Sequence, residues 1–179
     1  MAAPTGSLPE VLGGGANWDY RFVWIRDAAF TVYAFLRIGL KDEAADFMTW
    51  IEKRCREIDV KDPVGLRLMY DIRGHHPTTT LESPFTPSAD GKRASVLATE
   101  IELSHLTGYR DCKPVRIGNL AAFQQQLDIF GELMDAIYLC DKWVRPISYD
   151  FWMILRNRII PPVCERWGQP DHGIWEVRG

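Results

Sequence analysis

The 179-residue sequence lacks an apolar run approaching the ~18 residues of a membrane span, and none of its segments predicts one. Its N-terminal residues, Met1-Ala2-Ala3-Pro4-Thr5-Gly6, carry no basic stretch ahead of an apolar core, so no signal peptide is predicted. No Asn-x-Ser/Thr acceptor occurs. Together these features favour a cytoplasmic protein. There is no excess of basic charge either. Lys plus Arg total 21 against 24 for Asp plus Glu, a formal net charge of −3, which argues against an electrostatic nucleic-acid binder. The four cysteines, at 55, 112, 140 and 164, include no close C-x-x-C pair, so they read as reduced small hydrophobes rather than a disulfide framework or zinc site. His75-His76 has no recognisable third ligand, and no metal site or cofactor is expected. A Gly-rich phosphate-binding loop, βαβ alternation and any 30–45-residue repeat are also missing.

What is present is an ordinary globular composition: 46% hydrophobic and 25% charged residues, with 12% aromatics. That is enough apolar area for a core, and disorder as the whole account is excluded. Residues 1–16 are rich in Gly and Pro and read as a flexible lead-in. Phe30, Tyr33, Ala34 and Ile38 recur at helical spacing and Gly39 ends the pattern. Asp42 and Glu43 then open a second helix, where the macrodipole favours them. Its stripe is Ala44, Phe47, Met48, Ile51 and Cys55, giving a helical hairpin over about 26–57. Lys53, Arg54 and Arg56 read as its wet face. Residues 58–75 are a loop with one short strand near 66–70. The stretch at about 75–98, rich in Pro, Thr and Ser, reads as an irregular surface insertion. A third helix is expected over about 119–140, burying Phe123, Leu127, Phe130, Met134, Ile137 and Tyr138. A fourth is expected over about 147–160, burying Phe151, Leu155 and Ile159 and stopped by Pro161-Pro162. The fold class is all-α, with paired antiparallel helices and long loops collected at one end.

Three loop segments combine aromatic rings with carboxylates and guanidinium groups: 18–27, 108–119 and 170–179. That mixture suits a sugar, whose C–H face lies on a ring while fixed polar groups bond its hydroxyls. A carboxylate accepts from two neighbouring hydroxyls and Arg donates in a fixed fork. Each residue also has a plain structural reading. Tryptophan beside charge is often a capped helix end, Arg26-Asp27 can be a helix-start charge pair, and Glu176 can be an ordinary loop carboxylate. Composition alone does not make an enzyme.

Four longer motifs, NWDYRFVWIRDAAF, GYRDCKPVRIGN, QQLDIFGELMDAIYL and PDHGIWEVRG, closely resemble in this order glycoside hydrolase family 15, the glucoamylases and related trehalases and α-glucosidases. They cover roughly residues 8–74 and 100–179 and leave out 75–98. The resemblance implies an (α/α)6 toroid of six helical hairpins, of which 17–179 would be an incomplete part. It implies an inverting general acid/base hydrolysis of α-linked glucosides, with two carboxyl groups ~6.5–9.5 Å apart. By the same resemblance Glu176 is the general acid, with Ile174 and Trp175 partly desolvating it. Arg26 and Asp27 match the pair that holds the terminal glucose. Tyr20 and Trp24 match aromatic positions of that subsite, and Tyr109 and Arg116 fall in the loop forming its second wall. Trp18 and Arg178 lie in the motifs without an assigned role.

In the family the base is a second Glu on a late hairpin, and this sequence stops three residues after Glu176. The expectation is therefore a chain truncated before its base, weakly active or inactive alone. The competing expectation is a non-catalytic carbohydrate-binding or interaction fragment on the same scaffold. The partner expected is an α-glucoside oligosaccharide or trehalose, and the sequence leaves both open.

Overall fold

A computed structural model describes residues 3, 5–59, 61, 65–76 and 100–176. The insertion expected at about 75–98 lies almost entirely outside the described residues. The chain is mostly helical and forms two compact units, residues 1–24 with 69–123 and residues 25–68 with 124–179. The all-α expectation agrees with this content.

The second unit holds the helices. α1 (Ile25–Ile38) and α2 (Lys41–Glu57) form the hairpin that the sequence predicts. Gly39 is the reason the turn is sharp. Its φ of 87° takes the left-handed conformation that an L side chain resists. Leu40 N–H then reaches the Phe35 carbonyl at 2.9 Å and Gly39 N–H the Leu36 carbonyl at 3.3 Å, closing α1 with paired C-terminal bonds. α2 buries Ala44, Met48, Ile51 and Cys55, as its periodicity predicts. Its supposedly wet face is divided. Arg54 is buried, pairs with Glu57 at 2.8 Å and lies 5.3 Å over Trp50, while Arg56 stays at the surface and pairs with Glu52 at 2.6 Å.

Three sequence expectations are corrected here. First, α1 turns a different face inward. Ile25, Ala28, Ala29 and Val32 are buried against α3 and α2, whereas Phe30, Tyr33 and Ile38 are exposed. The helix is apolar on two sides. The small residues 28 and 29 let a neighbouring helix approach closely, and the larger aromatics are left outside. Second, the third helix begins late. α3 runs Asp128–Trp143 and buries Ile129, Phe130, Leu133, Ala136, Ile137 and Cys140, with Phe123 and Tyr138 exposed. Residues 124–127 are drawn into contacts with a distant loop before the helix can start. Third, Pro161-Pro162 do not end the last helix. α4 (Tyr149–Ile154), capped by the Ser148 hydroxyl on Phe151 N–H at 3.1 Å, runs into a π-helical turn at Leu155–Ile159 and then α5 (Ile160–Arg166). The wider turn restarts the helix, so both prolines enter where first-turn donors have no partner to lose. Phe151, Leu155 and Ile159 are fully buried, as expected. In the π turn, Arg158 Nη1 donates to the Ile58 and Arg56 carbonyls at 2.9 and 3.2 Å, satisfying the end of α2.

The first unit is loops held by two short antiparallel ladders. β1 (Val23–Trp24) pairs with β2 (Met69–Tyr70), the short strand expected near 66–70. β3 (Ile101–Glu102) pairs with β4 (Arg116–Ile117). The described part of the 1–16 lead-in is tied back by Ala3 N–H to Tyr20 O, Ser7 N–H to Trp18 O and Glu10 N–H to Ala16 O, at 2.9 to 3.1 Å. Gly108 has no substitute, because a Cβ there would sit 2.2 Å from the Cys112 carbonyl oxygen.

Cys55, Cys112 and Cys140 are buried free thiols and Cys164 is exposed. Burial pushes the Cys55 thiol up to about 12 and that of Cys140 up to about 11. No described helix is long and apolar enough to cross a membrane.

Candidate active site

The eight residues singled out from the sequence divide evenly between the two units. Arg26, Asp27, Trp175 and Glu176 lie in the helical unit, and Tyr20, Trp24, Tyr109 and Arg116 in the other.

In the helical unit the first turn of α1 carries Arg26, a cation with only 9% of its side chain exposed. Burying a guanidinium is costly unless acceptors meet it. Two do. Nη1 donates to Gln126 Oε1 at 2.6 Å and to Asp128 Oδ2 at 2.9 Å. A second acid faces the same group, with Glu176 Oε1 3.6 Å from Nη2. Glu176 keeps 30% of its side chain exposed and stands at φ 52°, unusual for a residue with a Cβ. Its N–H bonds the Gly173 carbonyl at 3.1 Å, so a tight turn at 173–176 sets its position. That loop is docked in turn. Asp171 Oδ2 accepts Leu127 N–H at 2.8 Å at the start of α3, and His172 N–H donates to Gln125 O at 2.9 Å.

Desolvation of Glu176 by its neighbours, expected from the sequence, is not found. Trp175 is 86% exposed and Ile174 49%, both turned to solvent by the turn that presents the acid. Asp27 is exposed on the first turn of α1, and its carbonyl accepts the Thr31 hydroxyl at 2.8 Å. The sequence reading missed Gln126 and Asp128. Both fall in the third motif, but nothing local in it signals contact with a residue about a hundred positions away.

In the other unit Tyr20 and Trp24 come together, ring centroids 5.8 Å apart. Trp24 is buried edge-on to Phe22, and Tyr20 donates its hydroxyl to Glu10 Oε1 at 2.9 Å. Arg116 has several partners of its own. Its guanidinium lies 4.6 Å over the Trp18 ring, Nη1 donates to the Gly15 carbonyl at 2.9 Å, and Nη2 is 3.8 Å from Glu102. Trp18 thus gains the partner that the sequence left open. Arg178 lies outside the described residues. Tyr109 is half exposed on a 3-10 turn, with the Arg110 guanidinium 5.5 Å over its ring.

The organiser of this unit is Asp19, also missed. Only 1% exposed, it accepts Gly118 N–H at 2.9 Å and both Arg21 Nε and Nη2 at 2.8 Å. The bond to Asp19 raises the Arg21 pKa further. Asn119 Nδ2 donates to the Asp19 carbonyl at 3.2 Å. His75 pairs with Asp71 at 3.1 Å, and among the described residues no three His, Cys, Asp or Glu gather as a metal site would require.

Comparison with known proteins agrees with the motifs. The trehalase of Mycolicibacterium smegmatis is 38% identical over 179 residues, covering 100% of this chain and 24% of that protein. The trehalase of Mycobacterium tuberculosis is 37% identical over 179 residues, covering 100% of this chain and 23% of its own. That of Thermoplasma acidophilum is 32% identical over 182 residues, covering 99% and 26%. The chain therefore spans about a quarter of the length of the curated relatives it matches. No solved structure matches it. The family model described as Glycosyl hydrolases family 15 matches residues 1–98 and 85–179, so it also runs through the 75–98 stretch that the four motifs left out. A match of that extent places the chain in glycosyl hydrolases family 15.

Proposed function

We propose that this chain contributes the acid side of a glycoside hydrolase site acting on α-linked glucosides, with trehalose as the preferred substrate. The observation that carries the reading is the meeting of Arg26 and Glu176 at 3.6 Å, on two stretches of chain 150 positions apart, each inside a family motif. Trehalose is favoured over starch-type oligosaccharides because the relatives reported above are trehalases.

In this reading Glu176 donates its proton to the departing glycosidic oxygen. Its partial exposure leaves room for a substrate oxygen at the carboxyl, and the turn at 173–176 sets its position beside Arg26. Arg26, immobilised on its far side, offers Nη2 donors to a glucosyl hydroxyl. Asp27, exposed beside it, accepts from a hydroxyl pair. Trp175 offers an open ring for the sugar's C–H face. Within the other unit Tyr20 and Tyr109, both exposed, are proposed as aromatic sugar contacts, with the buried Trp24 packed against Tyr20. Arg116 takes part through the shape of the loop it braces against Trp18. Water attacks from the opposite face, inverting the anomeric centre, and no carboxylate of this chain is assigned as its activator.

The test is hydrolysis of trehalose and maltose by protein carrying this sequence, with the anomer released followed by NMR. Equal amounts of β-glucose from the attacked ring and α-glucose from the leaving ring of trehalose, both lost in Glu176→Gln, support the proposal. α-Glucose alone as the initial product removes the inverting mechanism. Glucose binding that disappears in Asp27→Ala, with no turnover of either sugar, replaces it with a carbohydrate-binding role.

A further inference from the structure

Residues 125–128, at the entry to α3, serve two clients by alternation. The backbone of 125 and 127 seats the loop bearing Glu176. The Gln125 carbonyl accepts His172 N–H at 2.9 Å with His172 Nδ1 also 3.2 Å away, and Leu127 N–H donates to Asp171 at 2.8 Å. The side chains of 126 and 128 hold Arg26 at 2.6 and 2.9 Å. The backbone groups of 125 and 127 face the loop while the side chains of 126 and 128 reach Arg26, so one short segment fixes both. Asp128 Oδ1 is meanwhile enclosed without a hydrogen-bond partner among the described residues. An unpaired buried carboxylate oxygen is unfavourable, and no bond of Oδ1 within α3 offsets it. Glu176 meets the guanidinium as an ion pair at 3.6 Å, a longer contact than either of the bonds from Gln126 and Asp128.

We infer that Gln126 and Asp128 are positioning residues that clamp the Arg26 guanidinium for sugar recognition, in register with the Glu176 loop. The inference deepens the functional reading above and rests on it for the meaning of the clamp, not for its existence.

The test reads Arg26 directly. Rotation of its guanidinium is measured by 15N NMR in the whole chain as wild type, Glu176→Gln, and Glu176→Gln combined with Asp128→Asn. Hindered rotation is expected in the first two and rotation at least about tenfold faster in the third, the scale of one lost charge-assisted bond. Release in Glu176→Gln alone, or hindered rotation in the double variant, overturns the clamp. If the double variant fails to fold, Gln126→Met in the same background carries the same prediction. Phe151→Leu is the control: a destabilised core that leaves Arg26 hindered. Glucose affinity, measured by calorimetry, is expected to fall about tenfold in Asp128→Asn and to return in part in Asp128→Glu. Unchanged affinity with a freed guanidinium overturns the positioning role. The functional reading fails separately, when Glu176→Gln keeps full turnover of trehalose and maltose.

Discussion

Replacing Arg26 with alanine is expected to destabilise the chain by about 3 kcal/mol, although the position sits on a helix where alanine is intrinsically favoured. The figure comes from its contacts. The 2.6 Å bond to Gln126 and the 2.9 Å pair with Asp128 are charge-assisted, each worth about 1.5–3 kcal/mol. The lower end applies, because Asp128 keeps 28% of its side chain in solvent and the pair is screened accordingly. The Glu176 contact at 3.6 Å adds little. For a chain of this size each kcal/mol moves the melting midpoint by about 2–4 °C, so a fall of about 6–12 °C is expected in circular dichroism. Combining Arg26→Ala with Asp128→Ala should cost at least about 1 kcal/mol less than the sum of the two, because the second change removes a carboxylate already stranded by the first. A midpoint shift under about 3 °C, or strict additivity, would refute the claim that a buried fork is held on Gln126 and Asp128.

Other outcomes follow from the same reasoning. Phe151→Ala leaves a cavity in a site 1% exposed and should cost about 3–5 kcal/mol in urea unfolding, whereas Trp175→Ala, at a residue 86% exposed, should stay within about 0.5 kcal/mol and weaken sugar binding instead. Stability should fall with pH on the alkaline side. The Cys55 thiol moves from 9.0 to about 12 on folding, so the unfolded chain ionises first. The contribution is intact below about pH 9 and is lost as pH rises toward 12, and Cys55→Ala flattens that limb. A thiol reagent at neutral pH should label Cys164 at once and Cys55 only on unfolding.

How much the sequence revealed depended on how local the determining forces were. The α1–α2 hairpin was readable because Gly39 and the α2 stripe act within a turn or two of themselves. The inward face of α1 was not. Both of its sides are apolar, and the choice went to the side whose Ala28 and Ala29 admit a neighbour. The late start of α3 and the passage through Pro161-Pro162 share one cause: contacts or turn geometry outside the local window overrode a correct local preference. At the site, the motifs pointed to Arg26 and Glu176, but Gln126 and Asp128 are defined by proximity across about a hundred residues. The exposure of Trp175 was likewise invisible, since a tight turn rather than hydropathy decides which way it faces.

The central claim, that Glu176 supplies the proton to a departing sugar, is tested most directly by comparing two substrates in Glu176→Gln. Trehalose needs its leaving oxygen protonated, whereas α-glucosyl fluoride releases an anion that needs no such help. The account predicts a loss of about 10²–10⁴-fold in kcat on trehalose with hydrolysis of the fluoride largely kept. Equal losses on both, or none on trehalose, would contradict it.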